Sequence, residues 1–180
     1  MESEDRELVR RVLAERTDDF RVLVDRHKQS IFRFALRLLG NWEEAEDVTQ
    51  DTFLAAFANL SGYHSSRAAF STWLFTIARN RCINLLKQRR PIAVNELDSI
   101  ATVTPTDSIL SQELSQHLDR ALAALPVEQR SAFVLAEIEE LPYAEIARIE
   151  RTSLGTVKSR IHRAKQRLQS LLEPVVRESK

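Results

Sequence analysis

Glycine is almost missing from this chain, and its scarcity limits the possible folds more than any other feature. Only three glycines, Gly40, Gly62 and Gly155, occur in 180 residues. Sheets joined by tight turns favour glycine where the backbone takes positive φ. Leucine, alanine, arginine and glutamate dominate instead, and they are good helix formers. We therefore predict an all-α protein.

Apolar residues recur at helical spacing through the first 90 positions and predict four helices. Two of them fit before Gly40, which is a typical stop signal. Asn41 followed by Glu44 has the form of a capping box, so a third helix should span about 42–60. A polar loop follows it, and a fourth helix should span about 70–90, where a proline ends it.

The second half of the chain predicts a separate helical unit. Prolines and threonines interrupt the helical pattern after residue 90, which indicates a flexible linker over 91–112 between two small domains, 1–90 and 113–175. Four further helices are expected, and a proline stands at the start of the second and third. Their ranges are about 108–125, 126–139, 143–150 and 153–172. The last two have the arrangement of a helix-turn-helix.

The formal net charge is zero, but the charges are segregated along the chain. Residues 1–51 hold 13 acids and 9 bases, 52–90 hold none and 6, 91–145 hold 10 and 2, and 146–180 hold 3 and 9. Two basic zones therefore alternate with two acidic ones. Basic zones are the usual electrostatic mark of a nucleic-acid partner.

Features of an enzyme, a metal centre or a membrane protein are not found in the sequence. No glycine-rich phosphate loop or paired-carboxylate arrangement is evident, and Cys82 is the only cysteine. The four histidines are scattered at His27, His64, His117 and His162. No segment has the roughly 20 apolar residues of a membrane span. We expect no catalytic residue, no metal site and no cofactor, a soluble cytoplasmic location without membrane insertion, and Cys82 in a core.

The last predicted helix has an unusually cationic polar face. Its apolar residues share one sector, as packing requires: Leu154, Val157, Ile161, Ala164, Leu168 and Leu171. A neighbouring sector carries Lys158, Ser159, His162, Arg163, Lys165 and Gln166, with Arg160 and Arg167 on the far flank and no acid among them. Helix-turn-helix proteins insert such a face into the major groove. An ordinary solvated face is the alternative, but it would be expected to pair glutamates with lysines.

The fourth predicted helix combines an aromatic ring, amides and cations on one side. These residues are Trp73, Thr76, Asn80, Asn84 and Lys87, flanked by Arg79 and Arg81. Rings stack on bases, amides bond base edges and cations hold phosphates, so this face suits unstacked single-stranded bases. Core packing of Trp73 and plain solvation of the two asparagines remain alternatives.

The third predicted helix is acidic. Glutamates in its first turn complement the helix dipole and need no function. Asp47, Gln50 and Asp51 lie further along and predict a negative docking face for a protein, with an ordinary exposed face as the alternative.

Together these segments resemble the extracytoplasmic-function (ECF, group IV) sigma factors of bacterial RNA polymerase, in the sigma-70 family. The segment DVTQDTF at 47–53 resembles the family's polymerase-docking motif. FSTWLFTIARN at 70–80 resembles its promoter-melting helix, and GTVKSRIHRA at 155–164 its recognition helix. The resemblance spans nearly the whole chain, with the three motifs in the family's order.

The resemblance implies a non-enzymatic factor that directs promoter-specific initiation for a stress or envelope-response regulon. Asp47, Gln50 and Asp51 would meet the clamp helices of the largest polymerase subunit, and the polymerase flap is a further implied contact. The minus-ten strand would meet Tyr63, Phe70, Trp73, Thr76, Asn80, Asn84 and Lys87. Duplex minus-35 DNA would meet Lys158, Ser159, Arg160, His162, Arg163 and Lys165. The acidic linker would run along the polymerase, and an anti-sigma factor is an implied partner.

A conventional helix-turn-helix regulator is the main alternative. It would bind a duplex operator without polymerase, usually as a dimer. That hypothesis explains only residues 108–172, because it assigns nothing to the acidic and basic surfaces of the first half.

Overall fold

The computed structural model describes residues 2–89 and 109–178, and within these ranges the chain is helical without a strand. The helices are α1 Glu2–Leu13, α2 Asp19–Leu39, α3 Trp42–Ala58, α4 Phe70–Gln88, α5 Ile109–Ala123, α6 Val127–Phe133, α7 Tyr143–Glu150 and α8 Leu154–Glu178. A short 3₁₀ turn, Leu60–Gly62, follows α3, and a π-helical segment, Val134–Ile138, follows α6. The all-α prediction is confirmed.

Helices α1 to α4 form the first helical group, with α2 at its centre against the other three. Leu23, Ile31, Phe34 and Leu38 repeat along one face of α2 and are fully buried. The ring of Phe34 meets that of Phe75 on α4 edge to face, with centroids 5.5 Å apart. Burial of each such side chain contributes about 1.5–3 kcal/mol.

Local signals set the junction between α2 and α3. Gly40 ends α2 with φ of 68°, and its N–H donates to Leu36 O at 2.8 Å. The Asn41 side chain accepts from the N–H of Glu44 at 2.9 Å, so α3 begins at Trp42 as predicted. The second half of the capping box is not formed, because the Glu44 carboxylate pairs with Arg89 instead.

Helices α5 to α8 form the second helical group, in which α8 packs against the other three. Arg151 ends α7 in the left-handed conformation, with φ of 50°. The Ser153 hydroxyl then accepts from the N–H of Thr156 at 3.1 Å and caps α8. This short turn confirms the predicted helix-turn-helix. Residues 109–112 of the predicted linker belong to α5, and the rest of that prediction lies outside the described residues.

The helix predicted over 126–139 is interrupted. After α6 the backbone widens, and the N–H of Glu139 donates to Val134 O, five residues earlier, at 3.0 Å. The wider turn keeps Val134 and Leu135 buried. It also brings Glu139 against α2, where its carboxylate meets Arg33. Sequence periodicity does not report such a turn, because it depends on packing partners distant in the chain.

The two helical groups pack against each other, mainly through α4 and α7, with α2 against α5, α6 and the π segment. Cys82 is fully buried, as predicted. The predicted apolar sector of α8 is confirmed for Val157, Ile161, Ala164 and Leu168. It is wrong at its two ends, because Leu154 and Leu171 are exposed.

Candidate nucleic-acid and polymerase interfaces

The exposed side of α8 carries four of its predicted DNA-contacting residues. Lys158, His162, Arg163 and Lys165 are exposed, opposite the buried apolar sector. Lys165 donates to Glu137 at 2.9 Å, and this hydrogen bond raises the pKa of the lysine. The result is a cationic face on the second helix of a helix-turn-helix, the position that enters a major groove.

Arg160 and Ser159 differ from these four because both are partly buried. Arg160 Nη1 donates to Glu150 Oε2 at 2.8 Å, and the Glu150 side chain has no exposed surface. The Ser131 hydroxyl donates to the other oxygen of the same carboxylate. In this conformation Arg160 therefore joins α8 to α7 and α6 and does not project from the cationic face.

The α4 surface divides into an exposed end and a buried beginning. Asn84 and Lys87 are exposed, whereas Trp73, Thr76 and Asn80 are partly buried. The Thr76 hydroxyl donates to the backbone oxygen of Thr72 at 2.8 Å. Base-bonding groups are thus most accessible near the C-terminal end of α4.

The loop before α4 is organised by three aromatic rings. Tyr63, Phe70 and Trp73 pack together with centroid distances of 5.3–5.8 Å. The Tyr63 hydroxyl donates to Ala68 O at 3.1 Å and closes the loop on itself. Tyr63 and Phe70 are buried. They therefore support the loop from beneath, and its exposed surface comes from residues 64–67.

The acidic side of α3 is exposed as predicted from its pattern. Asp47, Gln50 and Asp51 all lie on the surface. Asp51 Oδ2 accepts from Arg81 Nη1 of α4 at 2.7 Å. Asp47 and Asn84 line the same cleft between α3 and α4, so the predicted protein-docking and base-binding surfaces adjoin.

An apolar groove beside Gln50 was missed in the sequence. Leu54 is 69% exposed and Phe57 45% exposed, and both line a groove between α2 and α3. The Phe57 ring packs edge to face on Phe20 with centroids 5.0 Å apart. The signal was the spacing of Gln50, Leu54 and Phe57 along one helical face, but apolar residues in a helix are more commonly core.

Neither a metal site nor a membrane span is evident in residues 2–89 and 109–178. No grouping of histidine, cysteine and carboxylate side chains there has the form of a metal site. None of the helices in these ranges combines the length and apolar character that a membrane span needs.

Comparison with known proteins assigns both helical groups. The Sigma-70 region 2 family matches residues 23–92, and the Sigma-70 region 4 family matches residues 115–168. The ECF RNA polymerase sigma factor SigW of Bacillus subtilis is 34% identical over 168 residues, which cover 86% of this chain and 89% of SigW. The ECF RNA polymerase sigma-E factor of Escherichia coli is 32% identical over 187 residues, with 96% of each chain covered.

Solved structures show the same two-part architecture. The sigma factor RpoE of Bartonella quintana, in complex with the anti-sigma factor NepR, matches with a TM-score of 0.71 at 28% identity, over 86% of this chain and 97% of that one. CnrH, in complex with the cytosolic domain of CnrY, matches with a TM-score of 0.75 at 26% identity, over 94% and 97%. The chain belongs to the ECF sigma factors of the sigma-70 family, and its function is that of an RNA polymerase sigma factor in transcription initiation.

Proposed function

We propose that three separate surfaces divide the work of this sigma factor. Helix α3 docks on core RNA polymerase, α4 and its preceding loop hold the minus-ten non-template strand, and α8 reads duplex minus-35 DNA. The observation that carries the proposal is the cationic face of α8 in a helix-turn-helix, where Lys158, His162 and Arg163 are exposed together. A cationic face in this position of a helix-turn-helix is the one that enters the major groove of DNA.

The minus-ten assignment follows from accessibility on α4. Asn80, Asn84 and Lys87 would bond base edges and phosphates, with the partly buried Thr76 and Trp73 beside them. Tyr63 and Phe70 act indirectly, because their buried rings hold the loop that would receive an unstacked base.

The docking assignment joins acids to an apolar groove. Asp47, Gln50 and Asp51 would bond a cationic helical partner, the clamp helices of the largest polymerase subunit. Leu54 and Phe57 would bury their exposed surface against the same partner. Polar contacts around an apolar centre are the usual composition of a protein interface.

The domain scheme completes the proposal. Residues 1–90 form the region 2 domain, residues 113–175 the region 4 domain, and the segment between them follows the polymerase surface. The region 4 domain also meets the polymerase flap, and an anti-sigma factor binds the chain, as NepR binds the Bartonella quintana sigma factor. The chain works in the cytoplasm without catalytic chemistry or cofactor, and it serves a stress or envelope-response regulon.

In vitro transcription with bacterial core polymerase on randomised promoters tests the three surfaces separately. Asp47→Arg combined with Gln50→Ala should abolish initiation at every promoter, whereas Glu7→Arg on α1 should not. Arg163→Ala should weaken or change only the minus-35 preference. Its control is Arg167→Ala, which removes another exposed cation of α8.

A different outcome would contradict the proposed function. A chain that directs no transcription from any template, yet binds one duplex site tightly by itself, would be a conventional helix-turn-helix regulator. The family assignment does not favour that alternative.

A further inference from the structure

The first residue of α8, Leu154, is exposed although the apolar pattern of the helix predicts its burial. It is 44% exposed, whereas Val157 and Ile161, the next apolar residues of the pattern, are buried. A single exposed apolar residue is common on protein surfaces and by itself needs no explanation. Leu154 differs because it begins the second helix of a helix-turn-helix, and the N-terminal residues of that helix contact base edges in the major groove.

Leu154 is continuous with the cationic face of α8. At about 100° per residue, Lys158 and His162 lie within about 80° of it around the helix axis. Both are exposed, and so is Lys165 further along the same side. The Ser153 hydroxyl accepts from the N–H of Thr156 at 3.1 Å and fixes the first helical turn. Leu154 is therefore the apolar end of the row of side chains proposed to face duplex DNA.

The residue after Leu154 is a glycine that the fold does not require. Gly155 is exposed, and its backbone does not take positive φ. A methyl group added to it would lie 3.8 Å from the Ser153 hydroxyl, an ordinary van der Waals distance. Glycine weakens a helix relative to alanine, so neither backbone conformation nor packing favours it here. Its missing side chain leaves open space beside Leu154, where a partner can approach the helix closely.

Thymine is the base whose major-groove edge matches an apolar side chain. Adenine, guanine and cytosine present hydrogen-bond donors and acceptors there, whereas thymine also presents its C5 methyl group. A leucine side chain neither donates nor accepts a hydrogen bond, so it distinguishes bases through contact with that methyl group. The cations of α8 cannot make this distinction, because they bond acceptors and phosphates.

We propose that Leu154 reads a thymine methyl group in the minus-35 element, in the space that Gly155 leaves open. This role rests on the proposed reading of duplex DNA by α8. Leu154 is then a specificity-determining residue, because its contact forms at an A·T pair and is lost at a G·C pair. The preferred minus-35 element therefore carries a thymine, on one strand or the other, opposite the start of α8.

Replacement of thymine by uracil tests the contact, because it removes the methyl group and keeps every donor and acceptor of the base. The preferred promoter from the randomised library is synthesised with one minus-35 thymine at a time replaced by uracil. Competition binding of the wild-type holoenzyme compares each duplex with the unchanged one. At one thymine, binding to the uracil duplex should be about fourfold weaker, the value of burying one methyl-sized group.

Variants of the exposed leucines show whether Leu154 is the residue that reads the methyl group. Holoenzyme with Leu154→Ala should bind the thymine and uracil duplexes equally. Leu154→Met keeps an apolar side chain of similar volume and should keep most of the preference. Leu171→Ala is the matched control, since Leu171 is 42% exposed near the other end of the same helix, and it should keep the whole preference.

Two results would overturn the inference. One is a preferred minus-35 element in which no thymine is present or every uracil replacement leaves binding unchanged. The other is a Leu154→Ala holoenzyme that still prefers thymine over uracil fourfold. Failure of the proposed function itself would look different, because the wild-type holoenzyme would then show no minus-35 preference of any kind.

Discussion

Arg160 donates from Nη1 to Glu150 Oε2 at 2.8 Å, and the carboxylate it reaches is fully buried. Arg163, three residues further along α8, is exposed. Two arginines of one cationic segment thus have different surroundings. The first holds helices together, while the second is available to a partner.

This difference predicts a separation of stability from DNA binding. Arg160→Ala leaves Glu150 with one fewer donor and should lower the free energy of unfolding by about 1–3 kcal/mol. Arg163→Ala should change it by less than about 0.5 kcal/mol, as expected for a surface site. Urea denaturation of both variants provides the measurement. Equal losses would mean that Arg160 is not a structural brace.

For binding of polymerase holoenzyme to duplex minus-35 DNA, we expect Arg163→Ala to have the larger effect and Arg160→Ala the smaller. Arg163→Ala should weaken binding by about 1–3 kcal/mol if the arginine bonds a base. Footprinting at increasing salt concentration measures the loss and shows whether the arginine instead meets phosphate. A wild-type footprint from the Arg163→Ala holoenzyme would remove this residue from the DNA interface.

Leu54→Asp should reduce the affinity for core polymerase without unfolding the chain. Leu54 is 69% exposed, so the charge costs little in the free protein but would be buried in the complex. Co-purification with core enzyme and thermal denaturation measure the two effects. Leu13→Asp, at another exposed apolar position, serves as the control, and equal binding by the two variants would exclude the groove.

The buried thiol of Cys82 predicts a pH-dependent stability difference. Burial raises its pKa from 9.0 to about 12. Between these values the unfolded chain releases the proton while the folded chain keeps it. The contribution of the neutral thiol to stability is therefore complete below about pH 9 and is lost as the pH rises toward about 12.

Comparison of wild type with Cys82→Ala isolates that contribution. The wild-type advantage in free energy of unfolding should shrink between about pH 8 and about pH 10.5. Leu74→Ala, a buried change on the same helix without a titrating group, should show a constant deficit. A constant deficit for Cys82→Ala as well would contradict the prediction.

The start of α3 gives a further prediction. Asn41→Ala removes the side-chain acceptor of the Glu44 N–H and should cost about 1 kcal/mol of stability. Asn41→Ser keeps an acceptor and should cost much less. Urea denaturation of both variants measures the cap, and similar losses would show that it contributes nothing.

Elements with local causes were predictable from the sequence. The starts of α3 and α7 follow from Asn41 and from Pro142, whose effects need no distant partner. The acids of the second half were a different case. The sequence interpretation assigned a role only to the acids of the linker, 91–112, and none to Asp119 and Glu139, which meet arginines about 80 and 106 positions earlier in the chain. Pairing over such separations is a property of tertiary packing and leaves no local pattern.

The candidate site residues show the same difference between local pattern and tertiary packing. The exposure of Lys158 and Arg163 could be predicted from the helical spacing of the apolar residues of α8. Because those residues are buried on one side, the opposite side is exposed. The burial of Tyr63 and Phe70 did not follow, because it depends on how a loop folds onto α4. The pairing of Arg160 with Glu150 could not be predicted from the sequence of α8, because Glu150 lies on the preceding helix. Arg160 was therefore predicted to contact DNA together with Lys158 and Arg163.

The π segment gives the chain one point at which its length can change by a residue. A π turn closes five residues apart where an α turn closes four, so it holds one residue more. Loss of one residue between Val134 and Ile138 would convert it to an α turn, and Glu139 would then follow Val134 at the α-helical spacing with nearly the same direction toward Arg33. The same deletion in the regular part of α8 would instead rotate every later residue of that helix by about 100° relative to the earlier ones.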